Sequence, residues 1–254
     1  KCSTIEKAKT YARTQLGMKT FEVQDIDTAN CLLEMLTDMH NMCGDVGLTS
    51  LKYVEKIILK TEPRGNIAGL MRCDTGEMLL AGRAEEATLG AVCGKYAQTH
   101  AELISELMQE LSKLDNPNIS SLFLLEAFRK KYRFPIQSID EIPFQTLKHE
   151  IAHRLHYLKC KAQKIDFNSM GKKTEIADWG GKNLDIYNEF KSSQIQQILQ
   201  DFPFVGDYAK ESPCEFVAEL YPVLLEKIEV PKKILDLYIK YHGPSVHNAR
   251  YNIV

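Results

Sequence analysis

The hydrophobic period changes twice along this chain, and these changes limit its fold more than any other feature of the sequence. Up to about residue 50 apolar residues recur at helical spacing, and the helical period returns from Tyr96 onward. Between these parts, residues 53–61 and 67–82 have strand character. The second stretch is broken at Asp74-Thr75-Gly76, which suits a tight hairpin turn. This order of elements predicts an α+β fold, mostly helical, with a small twisted sheet.

Two helices are predicted in the first fifty residues. Ser3-Thr4-Ile5-Glu6 has the form of a capping box, and the segment that follows ends at Gly17. A second helix is predicted from about Asp27 to Cys43, before Gly44. There is no internal repeat or flexible linker, so residues 1–254 are predicted to be one domain. Residues 1–50 are predicted to form a helical N-terminal part, and residues 165–254 a helical C-terminal lobe. Between them, residues 51–164 would contain the sheet, a helical insertion and the helix of the active site.

Size and composition exclude several classes of protein. With 254 residues the chain can bury a core without cross-links, and its 44% hydrophobic and 26% charged residues exclude collagen-like and disordered classes. A net charge of -2 gives no broad attraction to nucleic acid or anionic lipid. No apolar run approaches the ~20 residues of a membrane span. We therefore expect neither nucleic acid nor membrane as a partner.

The cysteines and the first residue bear on where the chain folds. Seven cysteines are scattered without a C-x-x-C pair, and an odd number cannot all be paired. We expect reduced thiols that pack as small apolar side chains, which favours folding in a reducing compartment. No signal-peptide pattern opens the chain. Because it begins at Lys1 rather than Met, we expect a processed product or a piece of a longer chain.

The segment from Thr146 to Leu155 contains the pattern H-E-x-x-H, at His149, Glu150 and His153. On a helix, histidines four residues apart lie one turn apart, so both imidazoles can bind one Zn²⁺. The glutamate between them can approach the metal-bound water as a general base. The pattern therefore predicts a hydrolytic zinc site.

An ordinary amphipathic helix is the alternative interpretation of this segment. One face of this helix is apolar and is formed by Leu147, Ile151, Leu155 and Leu158. The opposite face carries His149, His153, His156 and Cys160. This is the pattern of a helix with its back in a core and its polar face in a cleft. A solvated polar face would give a similar pattern, but three histidines on it would be unusual. The zinc site is therefore favoured.

A catalytic zinc site of this type needs a third protein ligand. The metzincin continuation H-E-x-x-H-x-x-G-x-x-H would need Gly and His where the chain has His156 and Lys159, which excludes that family. The other common ligand is a glutamate on a later helix. Glu215 and Glu219 are the candidates, one helical turn apart.

Glu215 also has a purely structural interpretation. Ser212 can cap a helix that begins at Pro213, and Glu215 would then complete a capping box. The local pattern supports capping and metal binding equally.

Three segments together resemble the anthrax lethal factor-like metallopeptidases, a family that includes domains of phage head morphogenesis proteins and bacterial toxins. In that family a tyrosine stands seven residues before the ligand glutamate, as Tyr208 stands before Glu215, and that glutamate opens an E-F-F-A-E segment. The chain departs from this segment only at Val217. The resemblance covers about residues 144–226. The segments are Leu147-Lys148-His149-Glu150-Ile151-Ala152-His153, Tyr208-Ala209 and Glu215-Phe216-Val217-Ala218-Glu219.

The resemblance implies a zincin-like fold, a bound Zn²⁺ and endopeptidase activity. The ligands would be His149, His153 and Glu215, with Glu150 as the general base. Two neutral imidazoles and one carboxylate leave the metal ion a net positive charge and an open position. The resemblance also implies that Tyr208 donates a hydrogen bond to the developing oxyanion and that Glu219 orients a ligand histidine.

The expected substrate is a protein or peptide bound in extended form along the strand Glu77–Gly82, which we expect at a free edge of the sheet. Two alternatives remain open. One is a structural or interaction domain of a phage head or toxin protein that keeps the fold without significant peptidase activity. The other is a zinc hydrolase with a non-peptide substrate. The protein could act in the cytoplasm, in a virion or as a delivered toxin, and the sequence predicts neither its oligomeric state nor its cleavage site.

Several features near the motif have less specific interpretations. Residues 84–137 contain helical sequence where members of the resembled family often run quickly to the H-E-x-x-H helix. Trp179-Gly180-Gly181 could be a cleft loop or a plain turn. We interpret His156, Cys160 and Cys214 as packing residues or as support for the ligands.

Overall fold

The structure is a computed structural model, and it describes residues 1–54, 69–81, 145–178, 180–202, 207–225, 230–247 and 252–253. Within these residues the chain is a mixed α+β fold with eight α-helices, a four-stranded sheet and a separate two-stranded ribbon. The helices are α1 (Ile5–Gln15), α2 (Ile26–Cys43), α3 (Gln145–Ala162), α4 (Lys173–Ile176), α5 (Asp185–Phe190), α6 (Ser193–Gln200), α7 (Pro213–Leu225) and α8 (Lys232–Lys240). The strands are β1 (Thr20–Glu22), β2 (Ser50–Val54), β3 (Gly69–Arg72), β4 (Glu77–Ala81), β5 (Val246–His247) and β6 (Asn252–Ile253). Two 3₁₀ turns, Phe167–Met170 and Asp207–Lys210, complete the described elements.

Both predicted N-terminal helices are confirmed, and the cap of the first is shifted by one residue. Thr4 caps α1, because its hydroxyl accepts a hydrogen bond from the Lys7 N–H at 3.3 Å. Ser3, the predicted cap, instead accepts a hydrogen bond from the Lys7 ammonium at 3.1 Å. Asp25 caps α2 by accepting the Thr28 N–H at 2.7 Å. Serine and threonine are both good N-caps, so sequence alone does not separate adjacent ones.

The predicted hairpin is confirmed, and it belongs to a larger sheet. Strands β3 and β4 pair antiparallel around the turn at residues 73–76, where Gly76 has a φ of +77°. Strand β2 pairs parallel to β4, and β1 pairs parallel to β2. Strand β1 lies in the part predicted to be helical. With only three residues it is too short to show a period, and its pairing depends on a strand far along the chain.

The predicted edge position of the strand Glu77–Gly82 is wrong. The strand order is β1-β2-β4-β3, so β4 lies between two neighbours, and β3 is the edge strand on that side within the described residues. Met78 and Leu80 on β4 are buried, and Leu79 between them is half-buried. This continuous apolar run is typical of an inner strand, whereas Leu70 on β3 is exposed.

Helix α3 packs between strand β3 and helix α7. Leu147 and Ile151 enter the main core as predicted. Arg154 donates hydrogen bonds to the backbone oxygens of Gly47, before β2, and Cys73, in the hairpin turn, and so ties the helix to the sheet. The face predicted to be polar is not open to a cleft along its length, because His156 is fully buried. Of the four residues predicted on that face, His149 and His153 are partly accessible and His156 and Cys160 are buried.

The main hydrophobic core joins the two ends of the described chain. Its buried residues run from Ala8 on α1 to Val246 on β5, and helix α7 is buried along almost its whole length.

None of the described helices is long and apolar enough to span a membrane. Residues 84–137 and Trp179 lie outside the described residues. Where the structure describes their side chains, the cysteines are free thiols: Cys2, Cys43, Cys73, Cys160 and Cys214.

We expect His156 to make the fold sensitive to acid. Its Nε2–H donates to the Tyr241 carbonyl oxygen at 2.8 Å, and its Nδ1 is buried without a hydrogen-bond partner among the described residues. Burial first, and then the neighbouring His153, lowers the pKa of His156 from 6.5 to about 3. The unfolded chain therefore binds a proton between these pH values that the folded chain does not. Stability from this group is lost as the pH falls through that window, by up to about 1.4 kcal/mol per pH unit.

Urea unfolding of metal-free protein at pH 7 and pH 4.5 measures this effect. His156→Gln keeps a donor for the Tyr241 oxygen and removes the titrating ring, so it should lose less stability between the two pH values than the unsubstituted protein. An equal loss in both proteins would contradict the assignment.

Candidate metal centre

Helix α3 brings the two motif histidines together. His149 and His153 lie one turn apart, and their Nε2 atoms are 3.0 Å from each other. The rings meet edge to face, with centroids 4.7 Å apart. Both side chains remain partly accessible, at 13% and 15% exposure. The spacing of the motif therefore produces the convergence of imidazoles that the sequence predicts.

Helix α7 supplies the third member of the group. Ser212 caps this helix, since its hydroxyl accepts the Glu215 N–H at 3.3 Å, and Pro213 is the first helical residue. The carboxylate of Glu215 points to the histidines instead of back to the cap. Its Oε2 atom lies 3.2 Å from His149 Nε2 and 3.3 Å from His153 Nε2. Capping and metal binding are thus compatible, because capping uses the backbone and leaves the side chain free.

Glu219, one turn further along α7, fixes the orientation of one histidine. Its Oε1 atom accepts a hydrogen bond from His149 Nδ1 at 2.9 Å. Since the proton of a neutral imidazole is then on Nδ1, the lone pair on Nε2 faces Glu215 and His153. Carboxylates commonly hold metal-binding histidines in this way.

The group fits a cation. Glu215 Oε2 is buried and has no hydrogen bond of good geometry among the described residues, although two ring nitrogens lie close to it. A carboxylate oxygen and two ring nitrogens that converge in this way are stabilised by a positive charge between them, which a metal ion would supply. The candidate ligand atoms of His149, His153 and Glu215 all lie within 4.8 Å of one another. This cluster could hold a metal ion.

The ionisation of the group is consistent with that conclusion. Burial would lower the pKa of His149, but the nearby carboxylates of Glu215 and Glu219 raise it well above its usual value. Burial would raise the pKa of Glu215, but the charge of His153 and the proximity of both histidine rings hold it well below its usual value. The surrounding carboxylates therefore stabilise a positive charge at this point.

Glu150 lies beside the group and against the edge strand. A Cβ atom added to Gly69 on β3 would come within 2.8 Å of Glu150 Cγ and Oε1, so glycine is what permits this approach. The Met71 backbone N–H donates a hydrogen bond to the Glu150 carboxylate. Burial raises the pKa of Glu150, and the charges of His149 and His153 partly oppose this increase. The carboxyl group of Glu150 thus lies between the candidate metal site and strand β3.

Tyr208 lies at the accessible side of the cluster. It stands on the 3₁₀ turn just before α7, its residue exposure is 46%, and its ring centroid is 5.9 Å from that of His149. The phenol lies close enough to Glu215 for the charge of that carboxylate to act on it. Desolvation of the phenol first, and then the charge of Glu215, raises the pKa of Tyr208. The hydroxyl therefore remains protonated and can donate.

The structure adds Lys172, which the sequence reasoning missed. Its Nζ atom lies 2.8 Å from the Tyr208 hydroxyl and 3.6 Å from Glu215 Oε1. Lys172 immediately precedes helix α4, 36 residues from Tyr208 in sequence. No periodic pattern links positions so far apart, so nothing in the sequence singled out this lysine.

The other polar residues near the motif pack within the fold, as predicted. Cys160 and Cys214 are buried in a small cluster with Phe167 and Met170. His156 lies against Phe167, with ring centroids 5.1 Å apart. These side chains support the helices that carry the ligand atoms.

Comparisons of this chain with models of protein families, with curated proteins and with solved structures found no match. The resemblance to the lethal factor-like metallopeptidases therefore stays a prediction from the motif residues.

Proposed function

We propose that this protein is a zinc-dependent endopeptidase with a zincin-like fold of the lethal factor type. The observation that carries the proposal is the convergence of His149, His153 and Glu215, with Glu150 fixed beside them and Tyr208 on the accessible side. Two imidazole nitrogens and one carboxylate oxygen are a common ligand set of catalytic zinc.

The spacing of the ligand atoms supports zinc. Tetrahedral coordination at the usual bond lengths of ~2.0 to 2.1 Å separates ligand atoms by ~3.3 Å. The three atoms lie 3.0, 3.2 and 3.3 Å apart. Three protein ligands also leave one position for water or substrate, which distinguishes a catalytic site from a structural one.

Each remaining residue has a task in peptide hydrolysis. When bound, zinc would polarise the scissile carbonyl and lower the pKa of water. Glu150 would accept a proton from the attacking water and deliver it to the leaving amine, and a raised pKa favours this exchange near neutral pH. Glu219 would keep His149 in the tautomer that presents Nε2 to the metal.

The substrate is proposed to bind in extended form along the edge strand β3. The sequence predicts strand β4 for this purpose, but β4 lies inside the sheet. Strand β3 contacts helix α3 and lies directly against Glu150. Its Leu70 is exposed, so an apolar side chain of a bound peptide could pack there. Pairing with a sheet edge supplies main-chain hydrogen bonds that do not depend on the peptide sequence.

A cleavage assay against a peptide library tests the proposal. Zinc-loaded protein should cleave internal peptide bonds, and both metal removal and Glu150→Gln should abolish this cleavage. Stoichiometric zinc without cleavage of any peptide would support a structural or interaction domain instead. Hydrolysis of esters or other amides in the absence of peptide cleavage would support the non-peptide hydrolase.

Tyr208→Phe should lower kcat by roughly 10² while zinc content is retained, because it removes one donor to the oxyanion in the transition state. Since the ring is partly exposed, stability should change little. Steady-state kinetics with a fluorogenic peptide, combined with zinc analysis, measures both quantities. Cleavage at the unsubstituted rate would reject the catalytic role of Tyr208.

A further inference from the structure

Lys172 lies against two side chains of the site at once. Its ammonium lies 2.8 Å from the Tyr208 oxygen, 3.6 Å from Glu215 Oε1 and 4.5 Å from the centroid of the Tyr208 ring. The side chain is only 26% exposed. A solvated surface lysine would not keep this set of contacts, because its ammonium is strongly hydrated and its stem is flexible.

The chemistry of the two groups fixes the direction of their hydrogen bond. An ammonium has three donors and no acceptor, so Lys172 must donate to the phenol oxygen. The phenol proton of Tyr208 therefore points away from Lys172 and is available to another acceptor. A positive charge beside the oxygen also makes the O–H group a stronger donor.

Lys172 is itself held in place from the other side. Its backbone N–H donates to Glu175 Oε2 at 3.1 Å, and its ammonium lies 4.0 Å from Glu175 Oε1. Glu175 belongs to helix α4, which begins directly after Lys172. The lysine thus links α4 to the turn that carries Tyr208.

We infer that Lys172 is a positioning residue of this site: by donating to the Tyr208 oxygen it holds the phenol beside His149 and leaves the phenol proton available to a group bound at the metal centre. The kinetic part of this inference depends on the proposed peptidase function. The structural part depends only on the contact between Lys172 and Tyr208.

Nuclear magnetic resonance tests the contact without any activity. In metal-free protein labelled with [ζ-¹³C]tyrosine, the Tyr208 signal is identified by its loss in Tyr208→Phe. Lys172→Met removes the ammonium and should shift that signal. Lys173→Met, at the exposed neighbouring lysine, should leave it unchanged. An unshifted Tyr208 signal in Lys172→Met would overturn the inference.

A double-mutant cycle tests whether Lys172 acts through Tyr208. Lys172→Met should lower kcat by roughly tenfold at unchanged zinc content, and by no more than Tyr208→Phe does. In the Tyr208→Phe background the same substitution should have no further effect. Two losses that multiply would contradict a positioning role. If the unsubstituted protein cleaves nothing, the proposed peptidase function fails, and the resonance experiment still decides whether Lys172 positions Tyr208.

Discussion

Glu215→Gln should abolish stoichiometric zinc binding, whereas Glu219→Gln should only weaken it. Glu215 supplies one of the three converging atoms, while Glu219 reaches the site through His149 Nδ1. Loss of a carboxylate that orients a metal ligand typically lowers metal affinity by roughly 10 to 100-fold. Loss of the ligand itself should therefore lower the affinity further. Elemental analysis and competition with a chromophoric chelator measure content and affinity, with about one zinc per unsubstituted chain.

Thermal unfolding adds an independent measurement of the same site. Zinc that binds only the folded chain stabilises it by mass action, so zinc should raise the Tm of the unsubstituted protein but not that of His153→Ala or Glu215→Gln. The exposed Glu211 gives a matched control, and Glu211→Gln should behave as the unsubstituted protein. If Glu219→Gln abolished zinc binding and Glu215→Gln did not, the two glutamates would have exchanged roles. Unchanged zinc binding in Glu215→Gln, with a stability loss of ~1 kcal/mol or less, would show that its carboxylate is not a ligand and would leave Glu215 only the backbone capping contact with Ser212.

Glu150→Gln should lower peptide cleavage by at least ~10² to 10⁴ while zinc and fold are retained, since a positioned general base contributes about that much. Glu150 is not one of the three residues that could hold the metal ion, and glutamine has the same size and keeps the contact with β3. Kinetics of the zinc-loaded proteins, with zinc content and circular dichroism measured in parallel, separate a catalytic defect from loss of metal. Cleavage by Glu150→Gln at the unsubstituted rate would remove Glu150 as the base.

Local signals in the sequence predict the parts of the fold that depend on neighbouring residues. Helix α2 and the hairpin around Gly76 follow from caps, periodicity and turn residues that act over a few positions. Strand β1 and the inner position of β4 depend on parallel pairing with β2, which brings distant segments together. No local pattern contains that information.

The same distinction applies to the site. His149 and His153 are predicted because one helical turn separates them, so the helix alone brings them together. Glu215 remained ambiguous because the sequence shows where its backbone lies but not where its carboxylate points. Lys172 could not be predicted, since only the fold brings it to Tyr208, 36 residues along the chain.

The candidate metal site lies between two helices, α3 and α7, whose relative position is determined by apolar packing. Ile151 on α3 and Leu220 on α7 are fully buried in one continuous core, so the donor geometry is a product of folding and does not require an ion to create it. In a zinc finger, by contrast, the chain without metal is unfolded. We therefore expect a metal ion to bind and leave the folded chain without refolding, so that occupancy of the site follows the concentration of free metal. Under the proposed function, a change in metal supply would then switch the activity on or off within the lifetime of the protein, without new synthesis.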